Sequence, residues 1–395
     1  MAKSDFLAAS PESVGIDAAK LEQVFERAAK EVREGVLPSC QIAIAREGRI
    51  AGMRSFGQVT HEGRPAAATD DTLYVIFSAT KGVTAAAAWL LIQDGKLDPS
   101  ERAAAIVPEF GSNGKDRITV EHLLTHTSGF PYAPFLPAEF KDRATRLERF
   151  SQWKLGWEPG TRCEYHASSS MYVVGEIIER RSGMSYGDFV RERIALPLGL
   201  PDLICGLPRE QHHRLADCVS VGNGLSEEDA ARLGISVIPR GEVTEEAILS
   251  FNRPEVREAG IPGGGGTTTA AEIALFYQSM LHGGAHGGPA LWQPETLELG
   301  RRVRTGALTD SIFRKLANRS LGLLVSGDAD RTYRGFGHSC SESAFGHNGA
   351  GGQLAWADPA TGISIGYLTN GHDRDAIRQG RRGVGISSRA ASCAI

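Results

Sequence analysis

Ser78 and Lys81 are the residues of this chain best placed to do chemistry, three positions apart at the start of an alanine-rich run. An apolar segment, 73–77, leads into the serine, and residues 80–92 are mostly good helix formers before an Asp-Gly stop at 94–95. Residues three apart on a helix share a face, with Cβ atoms about 5–6 Å apart, so the ammonium can meet the hydroxyl. Backbone N–H groups of the first turn then point at whatever the serine attacks. The pattern predicts a nucleophilic serine that uses lysine in place of histidine.

The Ser-x-x-Lys spacing alone is weak, because it occurs twice more in the chain. Ser112 and Lys115 lie in a Gly/Asn turn, where no helical face is expected to align them. Ser151 and Lys154 lie in a charged, aromatic segment whose lysine is expected to be solvated. The alternative for Ser78 is a helix N-cap with an exposed lysine in the first turn. Other segments must therefore decide between a nucleophile and a cap.

A nucleophilic serine also needs a proton acceptor and a site for the oxyanion. Tyr165 follows a Pro-Gly turn and precedes a predicted helix, so its phenol could reach into a cleft. A tyrosine close to an ammonium can be held as phenolate and act as general base, although the ring could equally anchor a loop. The glycine-rich loop 346–352 leads into a strand. A backbone N–H there could pair with that of Ser78 as an oxyanion hole, or the loop could be a plain hairpin connection.

Composition and length describe an ordinary globular protein. The 395 residues are 41% hydrophobic and 23% charged, enough to bury a substantial core. The net charge of −4 gives no electrostatic reason to bind nucleic acid or an anionic membrane. No stretch reaches about 18 apolar residues, which excludes a transmembrane helix. The N-terminal segment lacks an apolar region of signal-peptide length, so we expect a cytoplasmic protein.

Neither a metal nor a cofactor is predicted from the sequence. Six cysteines are spread singly, without Cys-x-x-Cys spacing, and are expected to be reduced and buried. His122 and His126 have i, i+4 spacing, but Leu123 stands where a zinc peptidase has glutamate. The Gly-x-Ser-x-Gly elbow of an α/β-hydrolase does not occur in the sequence.

Strand-like segments lie near both ends of the chain, and helices lie between them. The predicted strands are 41–45, 50–56, 321–325, 352–356 and 363–368. The first two form a hairpin, and the last two, joined by a tight turn, are antiparallel neighbours. This arrangement predicts an α/β (α+β) fold, in which one antiparallel sheet is assembled from both termini and flanked by helices.

The middle of the chain is predicted to be a helical insertion beside that sheet. We expect a single catalytic module over 1–395, with an α/β subdomain formed by about 1–82 and 285–395. A mainly helical subdomain would span about 83–284. The arginine-rich tail after Arg374 is expected to be a solvated or loosely held end.

Five short motifs occur in order along the chain. They are Ser78-Ala79-Thr80-Lys81, Leu123 to Gly129, Tyr165, Pro262 to Ala270, and His347-Asn348-Gly349. Together they resemble the serine β-lactamase-like superfamily of class C β-lactamases, D-Ala-D-Ala carboxypeptidases and, most closely, family VIII carboxylesterases. The resemblance spans about 12–372, and five ordered matches are far more specific than one. It implies the β-lactamase/transpeptidase-like fold.

The resemblance also implies a mechanism. Ser78 would form an acyl-enzyme, with Lys81 and Tyr165 sharing the proton transfer. In that family the tyrosine is usually the base and the lysine holds it deprotonated, but the sequence leaves open which takes the serine proton. Ala350 matches the position whose backbone N–H completes the oxyanion hole with that of Ser78. The motif around His126 is a structural signature of the family, so this histidine is left out of the mechanism.

The chain departs from the lactamase pattern at two positions. Ala167 occupies the asparagine position of the usual Tyr-x-Asn, which removes an amide that would bond a substrate acylamino group. His347-Asn348-Gly349, expected to line the substrate site, stands where lactamases have Lys-Thr-Gly. Histidine carries only partial charge at neutral pH, so the anchor for a substrate carboxylate is weakened. Both losses favour a serine carboxylesterase for short acyl chains, with weak β-lactam hydrolysis at most.

Other activities stay open on the same scaffold. An acyltransferase would pass the acyl group to an alcohol or amine, and its product would rise with added acceptor. A β-lactamase or D-amino-acid peptidase is a further alternative. A non-enzymatic binding protein would not need to retain Ser78, Lys81 and Tyr165. The expected partner is a small-molecule ester, with neither nucleic acid nor membrane.

Overall fold

The computed structural model describes residues 6–232 and 243–395. Its helices are α1 (Ala18–Arg33), α2 (Thr80–Gln93), α3 (Ala103–Ile106), α4 (Val120–Leu124), α5 (Arg143–Gln152), α6 (Ser169–Ser182), α7 (Tyr186–Val190), α8 (Leu196–Leu198), α9 (Glu227–Arg232), α10 (Glu245–Leu249), α11 (Pro254–Ala259), α12 (Ala270–His282), α13 (Pro294–Arg301) and α14 (Ala376–Ala391). Its strands are β1 (Ser39–Arg46), β2 (Arg49–His61), β3 (Arg64–Ala67), β4 (Tyr74–Val75), β5 (Ile204–Cys205), β6 (Val219–Val221), β7 (Gly266–Thr268), β8 (Leu324–Val325), β9 (Phe345–Gly346), β10 (Leu354–Asp358), β11 (Ile363–Thr369) and β12 (Gly371–Asp373).

Seven strands form one antiparallel sheet in the order β3-β2-β1-β11-β10-β9-β8. The central pair joins opposite ends of the chain, with Ile44 opposite Ile365. The prediction of one antiparallel sheet assembled from both termini is therefore confirmed. The predicted strand 321–325 shortens to β8, because Gly322 adopts a left-handed conformation (φ 91°) in a preceding turn.

The two faces of this sheet carry side chains of different size. Large apolar side chains of β1, β10 and β11 pack with residues of α1 and α14 in one core cluster: Ile42, Ile44, Trp356, Ile363, Ile365 and Tyr367. The alanines of β1 and β10 belong to the core on the other face, against which α12 lies. A Cβ at Gly366 would lie 2.2 Å from the carbonyl oxygen of Ala270, so this approach requires glycine. The small residues thus let α12 pack close to the sheet.

The segment after Arg374 is a packed helix, which corrects the expectation of a loose end. Helix α14 lies against α1, and Ile386 and Ala390 are fully buried there. The fully buried guanidinium of Arg382 lies 3.3 Å from a carboxylate oxygen of Asp373. The apolar positions recur at helical spacing, and the arginine-rich composition concealed this periodicity.

A three-stranded antiparallel sheet in the order β4-β7-β5 positions the predicted site. Strand β4 leads into Ser78, and β7 begins at the end of the glycine-rich segment 262–266. Between them, the Ile76 N–H donates to the Gly266 carbonyl at 2.9 Å. Two motifs distant in sequence are thereby fixed side by side.

Several expectations concern the molecule as a whole. All six cysteines are free and buried, as predicted. Over residues 6–232 and 243–395, the helices are too short or too polar to cross a membrane, and no three side chains with metal-ligating groups cluster together. The subdomain division near residues 83 and 285 stays a prediction.

Candidate active site

Ser78 lies in a short 3-10 turn, Phe77–Ala79, that runs directly into α2. Phe77 adopts a left-handed conformation (φ 45°), which is rare for a bulky residue and costs roughly 1–2 kcal/mol. Its ring packs edge-on against Phe251, with centroids 5.2 Å apart, which offsets part of that cost. Both neighbours of the serine are buried, while Ser78 itself is partly exposed at the start of the helix, as predicted.

Lys81 is fully buried, and its ammonium donates three hydrogen bonds. The acceptors are Ser78 Oγ at 3.2 Å and the carbonyl oxygens of Ala167 and Gly263, each at 2.7 Å. Because an ammonium has three donors and no acceptor, this geometry uses every N–H of a protonated lysine. Lys81 thereby ties the serine to the Tyr165 loop and to the glycine-rich segment.

Tyr165 reaches the serine from the loop before α6. Its hydroxyl donates to Ser78 Oγ at 2.7 Å, and Lys81 Nζ lies 4.9 Å from the centroid of its ring. The structure thus brings the three predicted catalytic residues together. Their roles in a reaction stay predictions.

His166 fixes the loop that carries the tyrosine. Its Nε2 accepts hydrogen bonds from the Phe130 N–H at 3.2 Å and the Ser128 hydroxyl at 3.0 Å. Its Nδ1–H donates to the Glu164 carbonyl at 2.7 Å. These bonds define a neutral ring with its proton on Nδ1, and burial lowers the pKa of His166 to about 3. The motif around Ser128 therefore holds the Tyr165 loop in place.

His126, which was expected to have only a structural role, lies against the tyrosine ring. The two ring centroids are 4.8 Å apart. The backbone N–H of His166 donates to His126 Nδ1 at 3.1 Å, so the proton of the neutral ring is on Nε2. Burial first, and then the charge of Arg319, hold the pKa of His126 well below its usual range. His126 contributes an uncharged wall to the site.

Arg319 is a second buried cation at the site, which sequence reasoning missed. Only 6% of the residue is exposed, and its Cζ lies 5.1 Å from the Tyr165 ring centroid. It precedes the turn into β8, far in sequence from every motif. A single arginine at no special spacing offers no signal, so only the fold reveals its position.

The loop from His347 to Ala350 approaches the chain just before the nucleophile. A Cβ at Gly349 would lie 2.2 Å from the Ile76 carbonyl oxygen, so only glycine permits this contact. Ala350 then begins a 3-10 turn, Ala350–Gly352. The predicted oxyanion-hole residue is therefore on a loop that touches the strand leading to Ser78, and its role in binding the oxyanion stays a prediction.

His347 is buried, with its ring centroid 6.0 Å from that of Tyr165. Its Nδ1–H donates to the Asn348 carbonyl at 2.8 Å, and its Nε2 has no partner among the described residues. Burial first, then the charges of Lys81 and Arg319, hold the pKa of His347 well below its usual range. The partial charge expected from the sequence is therefore corrected to a neutral ring.

The side chains of Asn348 and Lys115 both stabilise loops of the scaffold. The Asn348 amide donates to the Gly335 carbonyl at 3.2 Å, so its side chain holds the loop.

Lys115 is buried, donates to the Ser112 and Trp153 carbonyls, and lies 3.4 Å from Ser112 Oγ. The expectation that this turn leaves the pair unaligned is wrong, because the lysine folds back over its own turn. Lys154 is exposed, as predicted.

Known proteins resemble the chain over most of its length. The model of the Beta-lactamase family matches residues 21–385. A relative from Escherichia coli K12, named "Putative D-alanyl-D-alanine carboxypeptidase", is 28% identical over 392 residues, which cover 91% of this chain and 84% of the relative.

Two solved structures share the fold. A penicillin-binding protein homologue from Caulobacter crescentus has a TM-score of 0.76 and 27% identity, and a family VIII carboxylesterase has a TM-score of 0.77 and 26% identity. Each match covers 95% of this chain and 99% of the other. Similarity therefore extends to proteins named for ester and for peptide substrates.

Proposed function

Because the chain belongs to the Beta-lactamase family, we propose that it is a serine hydrolase that cleaves short-chain carboxylic esters through an acyl-enzyme on Ser78. One observation carries this proposal: Ser78 Oγ lies 2.7 Å from the Tyr165 hydroxyl and 3.2 Å from the Lys81 ammonium. A serine hydroxyl becomes a useful nucleophile when a positioned base takes its proton. Both candidate groups for that proton transfer are in contact with the serine.

Acylation begins when Ser78 Oγ attacks the ester carbonyl carbon and its proton passes to the phenolate of Tyr165. The backbone N–H groups of Ser78 and Ala350 would stabilise the oxyanion of the tetrahedral intermediate. Collapse of the intermediate breaks the bond to the alkoxide, which takes the proton from Tyr165 and leaves as an alcohol. In deacylation, water attacks the acyl carbon, Tyr165 accepts the proton of that water, and Ser78 Oγ recovers it as the acid departs.

Tyr165, rather than Lys81, is the proton acceptor in this scheme. The lysine donates to two carbonyls and to the serine, so its lone pair is occupied by a proton. Its charge also lies close to the phenol, which favours the phenolate. Lys81 therefore acts by holding the tyrosine ionised and the serine in position.

Two features support ester rather than β-lactam or peptide substrates. Ala167 offers no side-chain amide to an acylamino group, and its backbone carbonyl is already bound by Lys81. His347 is held neutral, so it is a poor anchor for a carboxylate. Arg319 keeps a positive charge beside Tyr165, and this charge can attract the carboxylate of a β-lactam. We therefore expect β-lactam hydrolysis to be weak rather than absent.

Labelling with an alkyl phosphonate ester tests the nucleophile. Peptide mapping should place the label on Ser78, and the Ser78→Ala protein should take up none. Ser112→Ala is the matched control, because Ser112 also has a lysine within 3.4 Å yet should not affect labelling. Label at any other residue, or undiminished labelling of Ser78→Ala, would overturn the mechanism.

A peptidase is the second candidate, favoured by the carboxypeptidase name of the 28% identical relative. A panel of p-nitrophenyl esters, a chromogenic cephalosporin and an acyl-D-Ala-D-Ala peptide separates the two. We expect the acetate and butyrate esters to turn over fastest, and faster cephalosporin or peptide cleavage would reverse the assignment. Ester product that forms only when an alcohol acceptor is added would instead indicate an acyltransferase.

A further inference from the structure

We propose that Arg319 is a positioning residue that stabilises the phenolate form of Tyr165 and so sets the pH at which Ser78 becomes a nucleophile. The inference rests on the proposed function, in which Tyr165 accepts the serine proton. Arg319 would act through the tyrosine, without contact to the reacting atoms.

Two buried cations lie against the ring of Tyr165. Lys81 Nζ is 4.9 Å and Arg319 Cζ is 5.1 Å from the ring centroid. Lys81 is fully buried and Arg319 is 6% exposed, so little water screens either charge. A cation at this distance favours the ionised form of a phenol, and it does so more strongly in a desolvated site than in water.

The charge of Arg319 is not neutralised by a neighbouring acid. In the described part of the chain, no carboxylate forms an ion pair with its guanidinium, and its Nε has no hydrogen-bond partner. Arg334, by contrast, is also buried but is paired with Asp328. Arginine stays charged at every accessible pH, so a phenolate at Tyr165 would supply the nearby negative charge that Arg319 lacks.

The other titratable groups around the tyrosine do not compete for this role. They are His126, His166 and His347, which contact the ring or flank the loop, and Glu164 and Cys163, which precede it in sequence. The Cys163 thiol is bound to Arg319, but burial raises its pKa, so it stays protonated and adds no negative charge. Burial, as the main cause, keeps the pKa of all three histidines below the usual range, so they are uncharged. Glu164 is bound by Arg162 at 3.2 Å and by the Tyr132 hydroxyl at 2.5 Å. Among the described neighbours, Lys81 and Arg319 therefore supply the positive charge.

Ionisation of Tyr165 would reverse one hydrogen bond. With a neutral phenol, both Tyr165 and Lys81 donate to Ser78 Oγ, which leaves the serine an acceptor. A phenolate can only accept, so the serine would then donate its proton along the 2.7 Å contact. Lys81 stays bound to two backbone carbonyls in either state, whereas no carboxylate among the described residues pairs with Arg319. The pH of this reversal should therefore respond to Arg319.

The kinetic test uses a neutral substrate, p-nitrophenyl butyrate, so that no substrate carboxylate can bind the guanidinium. For Arg319→Gln, the acid limb of the kcat/KM profile should move upward by about one unit, which lowers kcat/KM about tenfold below the limb. Above the limb, kcat/KM should return to within a few-fold of wild type. Arg319→Lys should move the limb less, because it keeps the charge.

Arg301→Gln is the matched control, because Arg301 also places its Cζ over an aromatic ring, 5.3 Å from the centroid of Phe345. Its acid limb should stay at the wild-type pH. A higher KM for Arg319→Gln at every pH, with the limb unmoved, would indicate a substrate-binding role and overturn the proposal.

A direct titration separates this inference from the proposed function. Both the Ser78→Ala protein and its Arg319→Gln derivative are labelled with 13Cζ-tyrosine, and Tyr165 is assigned among the eight tyrosines by Tyr165→Phe. The NMR titration midpoint of Tyr165 should be higher without Arg319. An unchanged midpoint in a protein with native near-UV circular dichroism overturns the inference even if esters are hydrolysed. If Arg319→Gln does not fold, Arg319→Met, which is also uncharged, gives the same comparison. Failure of ester hydrolysis with a shifted midpoint overturns only the proposed function.

Discussion

The Tyr165 hydroxyl lies 2.7 Å from Ser78 Oγ, closer than the Lys81 ammonium, which is 3.2 Å from the same oxygen. The phenol therefore has the direct path for the serine proton. The lysine is committed to the Ala167 and Gly263 carbonyls as well, so it holds the arrangement together. Because Tyr165 and Lys81 make different contacts, separate predictions follow for each residue.

Tyr165→Phe should lower kcat for ester hydrolysis by about 10²–10⁴-fold, because a phenyl ring accepts no proton. KM should change little, since the ring and its packing against His126 are retained. Steady-state kinetics with p-nitrophenyl butyrate, alongside near-UV circular dichroism as a check on folding, measure the effect. Turnover near wild type would remove Tyr165 from the mechanism.

Lys81→Met should lose both activity and stability. The thioether keeps the buried volume but leaves the Ala167 and Gly263 carbonyls without their donor. Each buried group left unpaired costs about 1–3 kcal/mol, so Tm should fall by several degrees. Ser78→Ala is the comparison: it should lose activity at an unchanged Tm. Equal Tm values for the two variants would show that the ammonium has no structural role.

Acid should destabilise the protein through its buried histidines, His126, His166 and His347. Burial, as the main cause, lowers the pKa of all three in the folded state below the usual 6.5. Below about pH 6.5 the unfolded chain then binds protons that the folded protein does not, and stability falls as the pH falls. Each histidine contributes about 1.4 kcal/mol per pH unit in that window.

Urea unfolding at pH 7 and pH 5 measures this loss. The free energy of unfolding should differ less between the two pH values in His166→Gln than in wild type, because one titrating group is gone. The reduction should equal about the contribution of one buried histidine. The stability of this variant at pH 7 should already be lower, since His166 makes three hydrogen bonds there. The same pH dependence in wild type and variant would contradict the assignment of His166 as a buried neutral ring.

Ala167→Asn should shift specificity toward acylamino substrates. The residue is partly exposed one position after His166, and an amide there could bond a substrate acylamino group. One such bond is worth about 0.5–1.5 kcal/mol, so the ratio of cephalosporin to butyrate turnover should rise about two- to tenfold. Ala167→Leu, of similar size but without an amide, should not raise the ratio. A rise in the leucine variant would point to cavity filling instead.

Residue type, spacing and the order of the five motifs were enough to predict three side chains that the structure brings into contact, Ser78, Lys81 and Tyr165. Ser78 and Lys81 are adjacent on one helical turn, and Tyr165 precedes a helix, so local sequence determines how each is presented. The sheet was predictable for a related reason, since its long strands β1 and β11 have regularly spaced isoleucines and are bounded by turns. Local sequence does not show that these elements meet, and only the fold brings them into contact.

Arg319 and His126 show what local patterns cannot give. Both meet Tyr165 through tertiary packing. Arg319 has no special spacing, and the i, i+4 spacing of His126 with His122 does not point to the tyrosine. Helix α14 was missed for a different reason, because its many arginines concealed apolar residues at helical spacing, among them the buried Ile386. Composition is a poor guide where a helix buries one face and exposes the other.

The pairing of β1 with β11 delays the completion of the sheet until late in the synthesis of this protein. Strand β1 ends at Arg46, but one of its edges has no partner until β11, which ends at Thr369, has left the ribosome. Such long-range pairing is slow, and an open strand edge invites association with other chains. The nascent chain therefore carries an unsatisfied edge through most of translation, and we expect chaperones to be needed most during that interval.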